Sequence, residues 1–143
     1  MQVFITGTAF ETAQVLDKKR LNKQIVECNQ ILSAIKGETK AWNNHPCTNQ
    51  YRDHVEWLEN YVSCLYEYKS GNIQQAKMFS AQADIFFRPE FHTEEYFNQM
   101  KRRLYTKDPV HYAQWSDLGT SEENWYWLKH GKKFIKYVDG KRL

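Results

Sequence analysis

The sequence predicts an all-α fold, a compact helical bundle in one domain over residues 1–143 with a short aromatic and basic C-terminal segment. Three observations predict it. Apolar residues recur at helical spacing over long stretches, and glycines or prolines end those stretches. The β-branched and aromatic residues 2–6 are too few to build a sheet, so we expect an extended lead-in. At 143 residues with 41% hydrophobic and 26% charged residues, the chain has the composition of a soluble globular protein.

The first long helix is expected to start near Phe10 or Glu11 and to continue to about Lys36, with a break near Asp17. Gly37 supplies its C-terminal stop. Apolar residues within it recur at steps of four and three, which places them on one face of an α-helix. This stripe consists of Leu21, Ile25, Cys28, Leu32 and Ile35.

Two further helices follow a polar loop over residues 37–48. The second is expected from about Asn49 to Ser70, with Gly71 as its stop, and the third from about Ile73 to Phe87, before Pro89. In the second helix the apolar stripe again has helical spacing. Its members are Tyr51, Val55, Leu58, Val62 and Leu65.

The last part of the chain is expected to hold one more helix and the C-terminal segment. Thr93 is the predicted N-cap of a fourth helix that ends at about Thr106. Residues 110–115 are expected to form a helical turn or loop. From Glu122 onward we expect either a short hairpin about His130-Gly131 or an ordered irregular segment. The expected total is three to five helices.

One flank of the first long helix carries polar residues that are candidates for chemistry. At 100° per residue, Arg20, Lys23, Gln24 and Glu27 fall together beside the apolar stripe. Glu27 then lies at the edge of the core, where partial burial and nearby cations tune a carboxylate for acid or base work. The alternative is an ordinary Lys–Glu pair on a solvated face, worth about 0.2–0.5 kcal/mol.

The loop over residues 37–48 is a second candidate region, because binding groups concentrate in loops. It contains Trp42, Asn43, Asn44 and His45, followed by Pro46. A histidine here is a candidate for shaping a site. The alternative is that His45 caps the next helix or bonds to a backbone carbonyl.

Positive charge is concentrated at the C-terminal end. The net charge is only +3, but the last fifteen residues hold six basic residues and one acidic residue, interleaved with aromatic ones. An anionic partner would be met at this segment. The basic residues are Lys129, Lys132, Lys133, Lys136, Lys141 and Arg142.

Several function classes lack support in the sequence. The phosphate-loop, dinucleotide, zinc-protease and hydrolase-elbow motifs are missing, and the five histidines are scattered, so we expect no metal and no cofactor. The three cysteines share no CxxC spacing and are expected to be buried reduced thiols in a cytoplasm. No secretion signal or membrane span is expected. The remaining features suit a nucleic-acid enzyme.

Four segments together resemble the pyrimidine-dimer DNA glycosylase family of the phage endonuclease V type. Residues 16–32 resemble the first long helix of the family, with Glu27 where the catalytic glutamate stands. Residues 39–46, TKAWNNHP, resemble the family segment TKGYRNHP, and residues 104–112, LYTKDPVHY, resemble a run in cellular relatives. Trp125-Tyr126 with the following lysines resembles the aromatic and basic tail that the prototype lays against DNA.

The resemblance implies that the α-amine of the chain attacks the sugar C1′ and that the glutamate stabilises the cationic intermediate. Two departures matter. Gln2 is too bulky for the usual methionine removal, so the implied nucleophile is the amine of Met1. Val26 stands where the prototype has an arginine, so Lys19, Arg20 and Lys23 would have to substitute. Lys23 is an alternative amine if burial or cationic neighbours favour its neutral form.

The sequence thus predicts a DNA glycosylase, with lyase activity as a further expectation, that flips out and removes a damaged or modified pyrimidine in a bacterial cell or phage-infected host. The alternatives are a non-catalytic DNA-binding module and a protein-interaction module on the same scaffold. The predicted catalytic residues are Glu27 and Met1, and the predicted substrate-binding residues are Arg20, Lys23, Asn44 and His45. The predicted DNA-binding residues are Lys19, Trp125, Tyr126, Lys129, Lys132, Lys133 and Lys136.

Overall fold

The computed structural model describes residues 2–120 in full and the backbone of residues 124–129, 133–138 and 141–142. Residues 2–120 fold into helices that pack around one apolar core, so the predicted all-α class is confirmed. The helices are α1 (Ala9–Val15), α2 (Lys18–Ile35), α3 (Pro46–Tyr51), α4 (Val55–Lys69), α5 (Ile73–Phe86), α6 (Glu94–Lys107) and a 3₁₀-helix (Ala113–Leu118).

The first two helices are separated by the predicted break near Asp17. Leu16 is extended, and the Asp17 side chain accepts from the Arg20 N–H as the N-cap of α2. An aspartate cap satisfies one of the unpaired N–H groups of the first turn. At the other end of α2, Gly37 has a positive φ of 77°, which a glycine adopts without a steric penalty.

The predicted second helix is wrong in its start and its continuity. The chain is already helical at Pro46, because proline suits the first helical position and His45 provides the cap. This helix, α3, ends at Tyr51, and a turn closed by the bond from the His54 N–H to the Tyr51 carbonyl precedes α4. Since both long predicted helices are split, the described residues contain six α-helices instead of three to five.

The later helices follow the predictions more closely. Helix α5 ends before Pro89, and α6 begins after Thr93, whose side chain accepts from the Tyr96 N–H. The helical turn predicted at residues 110–115 is shifted to the 3₁₀-helix over residues 113–118. Buried Tyr112 immediately precedes it and anchors this segment to the core.

The C-terminal segment contains antiparallel strands, which agrees with the hairpin alternative. They are β1 (Asn124–Lys129), β2 (Lys133–Val138) and β3 (Lys141–Arg142), in the order β1-β2-β3. The turn predicted at His130-Gly131 lies outside the described residues. Strand β1 lies beside α3, the helix that His45 caps.

The core is aliphatic in most places and aromatic where α3 meets α4. Trp57 stacks between Tyr51 and Tyr61, with ring centroids 5.4 and 4.8 Å apart. Offset aromatic stacking of this kind adds to the stabilisation that burial gives. The three cysteines are free and buried, as predicted. Within the described residues, no helix is both long and apolar enough to cross a membrane.

Candidate active site

The site begins with residues 2–5, which have no regular secondary structure and lie against α2. The side-chain amide of Gln24 contacts two of their backbone groups: Nε2 donates to the Gln2 carbonyl at 2.8 Å, and Oε1 accepts from the Phe4 N–H. The Tyr61 hydroxyl donates to the Phe4 carbonyl and lies 3.3 Å from Gln24 Oε1. The flanking side chains of Val3 and Ile5 are buried in the core. The start of the chain is thereby fixed against α2.

Glu27 lies one turn beyond Gln24 on the same helix. Its Oε2 accepts from the Gln2 N–H at 3.4 Å, and its Oε1 is 3.8 Å from Lys23 Nζ. The Glu27 side chain is 15% exposed, whereas that of Lys23 is 68% exposed. The carboxylate therefore lies at the edge of the core, as its helical spacing predicts. It is close both to a surface cation and to the first described residue of the chain.

The loop before α3 brings His45 to the same region. His45 Nδ1 accepts from the Cys47 N–H at 3.0 Å, so the helix-capping alternative describes its hydrogen bond. Burial lowers the pKa of His45, and the negative charge of Glu27 opposes this shift, because the two side chains are near each other. The neutral form of the His45 ring is therefore favoured at neutral pH. The ring contacts the exposed side chain of Trp42, with the two ring centroids 5.5 Å apart.

The backbone of this loop is fixed by an arginine that the sequence did not single out. The Arg52 guanidinium donates to the Asn43 carbonyl and also reaches the Asn43 and Asn49 side-chain oxygens at 3.3 and 3.1 Å. Trp42 has a φ of 63°, a left-handed conformation that is uncommon for a bulky residue. Asn44 is exposed at the tip of the loop. Arg52 therefore holds the segment that presents Asn44 and His45.

Arg20 is bound by carboxylates at the start of α2. Its Nη1 lies 3.0 Å from Asp17 Oδ1 and 3.9 Å from Asp108 Oδ2. Burial opposes the charge of Asp17, but hydrogen bonds from Tyr112 and Arg20 prevail and hold the pKa of this carboxyl below its usual value. Two acidic partners thus offset the Arg20 charge. Arg20 is a predicted substrate-binding residue, but its guanidinium attracts an anionic ligand more weakly than an unpaired guanidinium would.

The end of α6 contributes a cation that sequence reasoning missed. Burial lowers the pKa of Lys107, and the positive charges of Arg103, Arg20 and Lys23 lower it further, while Glu27 opposes the shift. The ion pair of Arg20 with Asp108, the residue after Lys107, brings the end of α6 to the start of α2. Lys107 lies in the run LYTKDPVHY, which the sequence analysis had noted only for its resemblance to the family. In the structure, Asp108 and Tyr112 of this run contact the start of α2.

The remaining predicted residues divide between the surface of α2 and the strands. Lys19 is exposed in the first turn of α2. In the strands the backbone register pairs Lys129 with Lys133 and Tyr126 with Lys136, and it pairs Trp125 with Tyr137. Because β1 lies beside α3, the strands run close to the helix that begins after His45. Met1 and Lys132 lie outside the described residues.

The comparison with known proteins matches the N-terminal part of the chain. The family model described as pyrimidine dimer DNA glycosylase matches residues 1–79, which is more than half of the chain. The matched segment contains the N-terminal lead-in, Gln24, Glu27 and the His45 loop. No curated protein and no solved structure matches the chain. The chain therefore belongs to the pyrimidine dimer DNA glycosylase family.

Proposed function

We propose that this DNA glycosylase attacks a damaged or modified pyrimidine nucleotide with the α-amine of Met1, assisted by Glu27, and then breaks the strand as a lyase. One observation carries the proposal. The backbone nitrogen of Gln2 lies 3.4 Å from the Glu27 carboxylate, at the edge of the core and beside Lys23. The proposed chemistry needs an α-amine and a carboxylate. The start of the chain and Glu27 provide these two groups in one place.

Covalent geometry supports the amine as a reactant. Three covalent bonds separate an α-amine from the nitrogen of the next residue, a distance of at most about 4 Å, and the Gln2 nitrogen is the one that contacts Glu27. The reference pKa of an α-amine is about 7.7–8.0, against about 10.4 for a lysine. An α-amine therefore has an appreciable unprotonated fraction at neutral pH, which nucleophilic attack requires.

The proposed reaction has two stages. In the first, the amine nitrogen bonds to the sugar C1′ while the bond from C1′ to the base breaks, and the base leaves with the bonding electrons and takes up a proton. Loss of the amine proton and ring opening then give an imine between the enzyme and the sugar. In the second, a proton leaves C2′ and the 3′ phosphate departs. Glu27 stabilises the positive charge on C1′ and on the imine nitrogen.

DNA would approach over the basic residues around Glu27. Lys23 is exposed, and so is Lys107 at the end of α6, next to Asp108, which pairs with Arg20. Lys129 belongs to β1, the strand that lies beside α3, and would add further positive charge. Phosphate neutralisation by such residues supplies most sequence-independent DNA affinity. Reaching a base in a duplex also requires extrusion, which costs a few kcal/mol and least at a damaged site. Asn44 and His45 would line the pocket for the extruded nucleotide.

The test uses duplexes that carry a pyrimidine dimer or a modified pyrimidine, with borohydride added to trap the imine. Glu27→Gln should lower the rate of glycosidic bond cleavage by about 100-fold or more, because it removes the charge that stabilises the intermediate. The matched control is Glu59→Gln, which removes a carboxylate paired with Lys36 on another part of the surface. The control should release base at the wild-type rate.

A non-catalytic DNA-binding module is the second candidate. It is favoured by the cap that His45 supplies and by the pair of Lys23 with Glu27, since both give the site residues a structural role. This candidate predicts salt-dependent DNA binding that Glu27→Gln leaves unchanged. Base release and trapping that are absent across the whole panel, with Glu27→Gln indistinguishable from wild type, would contradict the enzyme proposal.

A further inference from the structure

Gln24 is a polar residue that is buried within a helix, which is unusual for a glutamine. It is only 1% exposed, and the hydrogen bonds of its amide go to backbone groups of the N-terminal residues. Burying an amide is costly unless its hydrogen bonds are made. Gln24 meets this requirement through its hydrogen bonds with the backbone of Gln2 and Phe4. The burial of Gln24 and the position of the N-terminal residues therefore depend on each other.

The two bonds have the pattern of a short β-ladder. In an extended strand, the carbonyl of one residue and the N–H of the residue two positions on project from the same edge. The Gln24 amide donates to the first of these groups at Gln2 and accepts from the second at Phe4. A one-residue shift of the strand would present the opposite edge to the amide. Gln24 therefore disfavours a one-residue shift of the lead-in.

We propose that Gln24 is the positioning residue that fixes the start of the chain, and with it the nucleophilic amine, against Glu27. The inference rests on the proposed function for the role of the amine. Gln24 and Glu27 are three residues apart on α2, so one rigid helix sets both the amine and the carboxylate. Tyr61 supports the arrangement from α4 through the Phe4 carbonyl.

This arrangement explains how the site tolerates its departure at position 2. Gln24 and Glu27 contact the carbonyl and the N–H of Gln2, which are backbone groups, and the register is set again at Phe4. The side chain at position 2 therefore does not determine the position of the N-terminus relative to Glu27. The backbone contacts are available to a chain that keeps its first methionine.

The experiment compares wild type with two substitutions of Gln24 and one matched control. Gln24→Met keeps the size of the side chain and removes both hydrogen bonds. Gln24→Glu keeps an acceptor for Phe4 and, when ionised, loses the donor to the Gln2 carbonyl. The control is Gln50→Met, because Gln50 is equally buried and its amide donates to Tyr96 on α6 at 3.1 Å.

Three quantities are measured: the single-turnover rate of imine trapping on a duplex with a preformed abasic site, the affinity for that duplex, and the hydrogen exchange of the Phe4 amide. We expect Gln24→Met to lower the trapping rate about tenfold or more, because small misplacements of a reactant are costly. DNA affinity should stay within about twofold, and Phe4 exchange should accelerate as the lead-in loosens. Gln50→Met should leave the trapping rate and Phe4 exchange unchanged.

The pH dependence of Gln24→Glu tests the donor to the Gln2 carbonyl, and it is read together with the stability of the same variant. Protonation of the carboxyl that this substitution introduces restores an O–H donor toward the Gln2 carbonyl. The deficit of this variant relative to wild type should therefore shrink as the pH falls. Protonation of a buried carboxyl also restores folding stability, so urea midpoints of the variant are measured at each pH. Recovery of the trapping rate over a pH range in which the variant is fully folded throughout is the result that positioning predicts.

The outcomes distinguish the inference from the proposed function. A wild-type protein that traps no imine would refute the proposed function and, with it, the role of Gln24 toward the amine. A wild-type protein that traps imine, together with a Gln24→Met variant that traps at the same rate or shows unchanged Phe4 exchange, would overturn the positioning role alone.

Discussion

Residues of the candidate site make structural contacts and also lie close to one another. His45 uses Nδ1 to cap α3, and its side chain lies near Glu27. Glu27 accepts from the Gln2 N–H through one oxygen and approaches Lys23 with the other. Such double use explains why a residue that looks like an ordinary cap or an ordinary ion pair can also belong to an active site.

The two roles of His45 can be separated by substitution. His45→Ala removes the acceptor for the Cys47 N–H and should lower the free energy of unfolding by about 1 kcal/mol, whereas His45→Asn should keep most of it, because asparagine is a good N-cap. Urea denaturation measures both. If the ring also shapes the substrate pocket, both variants should release base more slowly. Equal stability of the alanine and asparagine variants would contradict the capping role.

At the scale of elements, α2 carries the carboxylate and the residue that docks the chain start, and α3 and α6 bring the loop and the basic residues to it. The helical spacing predicted the stripe of α2 and the edge position of Glu27. It placed Gln24 on the polar flank without indicating its burial, because the same spacing suits a surface glutamine and one that the lead-in covers. Only the long-range contact with residues 2–4 decides between them.

The strands should contribute charge to DNA binding. The register pairs Lys129 with Lys133, so these two positions lie opposite each other in the hairpin. The double substitution Lys129→Gln and Lys133→Gln should weaken binding and reduce the slope of log K against log salt by roughly 1.8, if each lysine meets one phosphate. Fluorescence anisotropy over a salt series measures the slope.

The matched control for the strands is Lys69→Gln with Lys77→Gln, which removes two exposed lysines from α4 and α5. Lys77 lies over the Phe10 ring of α1, 5.5 Å from its centroid. The control therefore removes the same charge from another part of the surface and should bind with the wild-type slope. If both double substitutions reduce the slope equally, net charge and not a contact with the strands would explain the effect on DNA binding.

At the scale of the whole molecule, a buried histidine links stability to pH. His92 is enclosed by aromatic rings and bonds to the Tyr51 hydroxyl at 2.8 Å, and burial holds its pKa well below the usual value. Burial lowers the pKa of His45 and His54 as well. In each case the unfolded state takes up a proton at a pH where the folded state does not. The free energy of unfolding that depends on these histidines therefore has its full value above about pH 6.5 and falls as the pH drops below it.

Urea midpoints at pH 7.5 and pH 5.0 test this link. We expect a lower midpoint at pH 5.0 for wild type. His92→Gln should show a smaller difference between the two pH values, because the most strongly shifted group is gone. An identical midpoint at both pH values for wild type would mean that the buried histidine is protonated without cost, which its surroundings oppose.

The overall architecture was more predictable than its long-range contacts. Local signals such as Gly37, Thr93 and Pro89 correctly placed helix ends, because they act through the backbone of their own segment. Pro46 was misjudged because proline both interrupts a helix and begins one. The position of Lys107 could not be foreseen, since it depends on the contacts of Asp108 and Tyr112 with the start of α2, which no local pattern specifies.

The central claim is that the first amine of the chain is the nucleophile beside Glu27. It is tested most directly by trapping the protein on damaged DNA with borohydride, digesting the complex and locating the sugar adduct by mass spectrometry. We predict the adduct on the α-amine of Met1. An adduct on Lys23 or another lysine, with the α-amine unmodified, would contradict the claim.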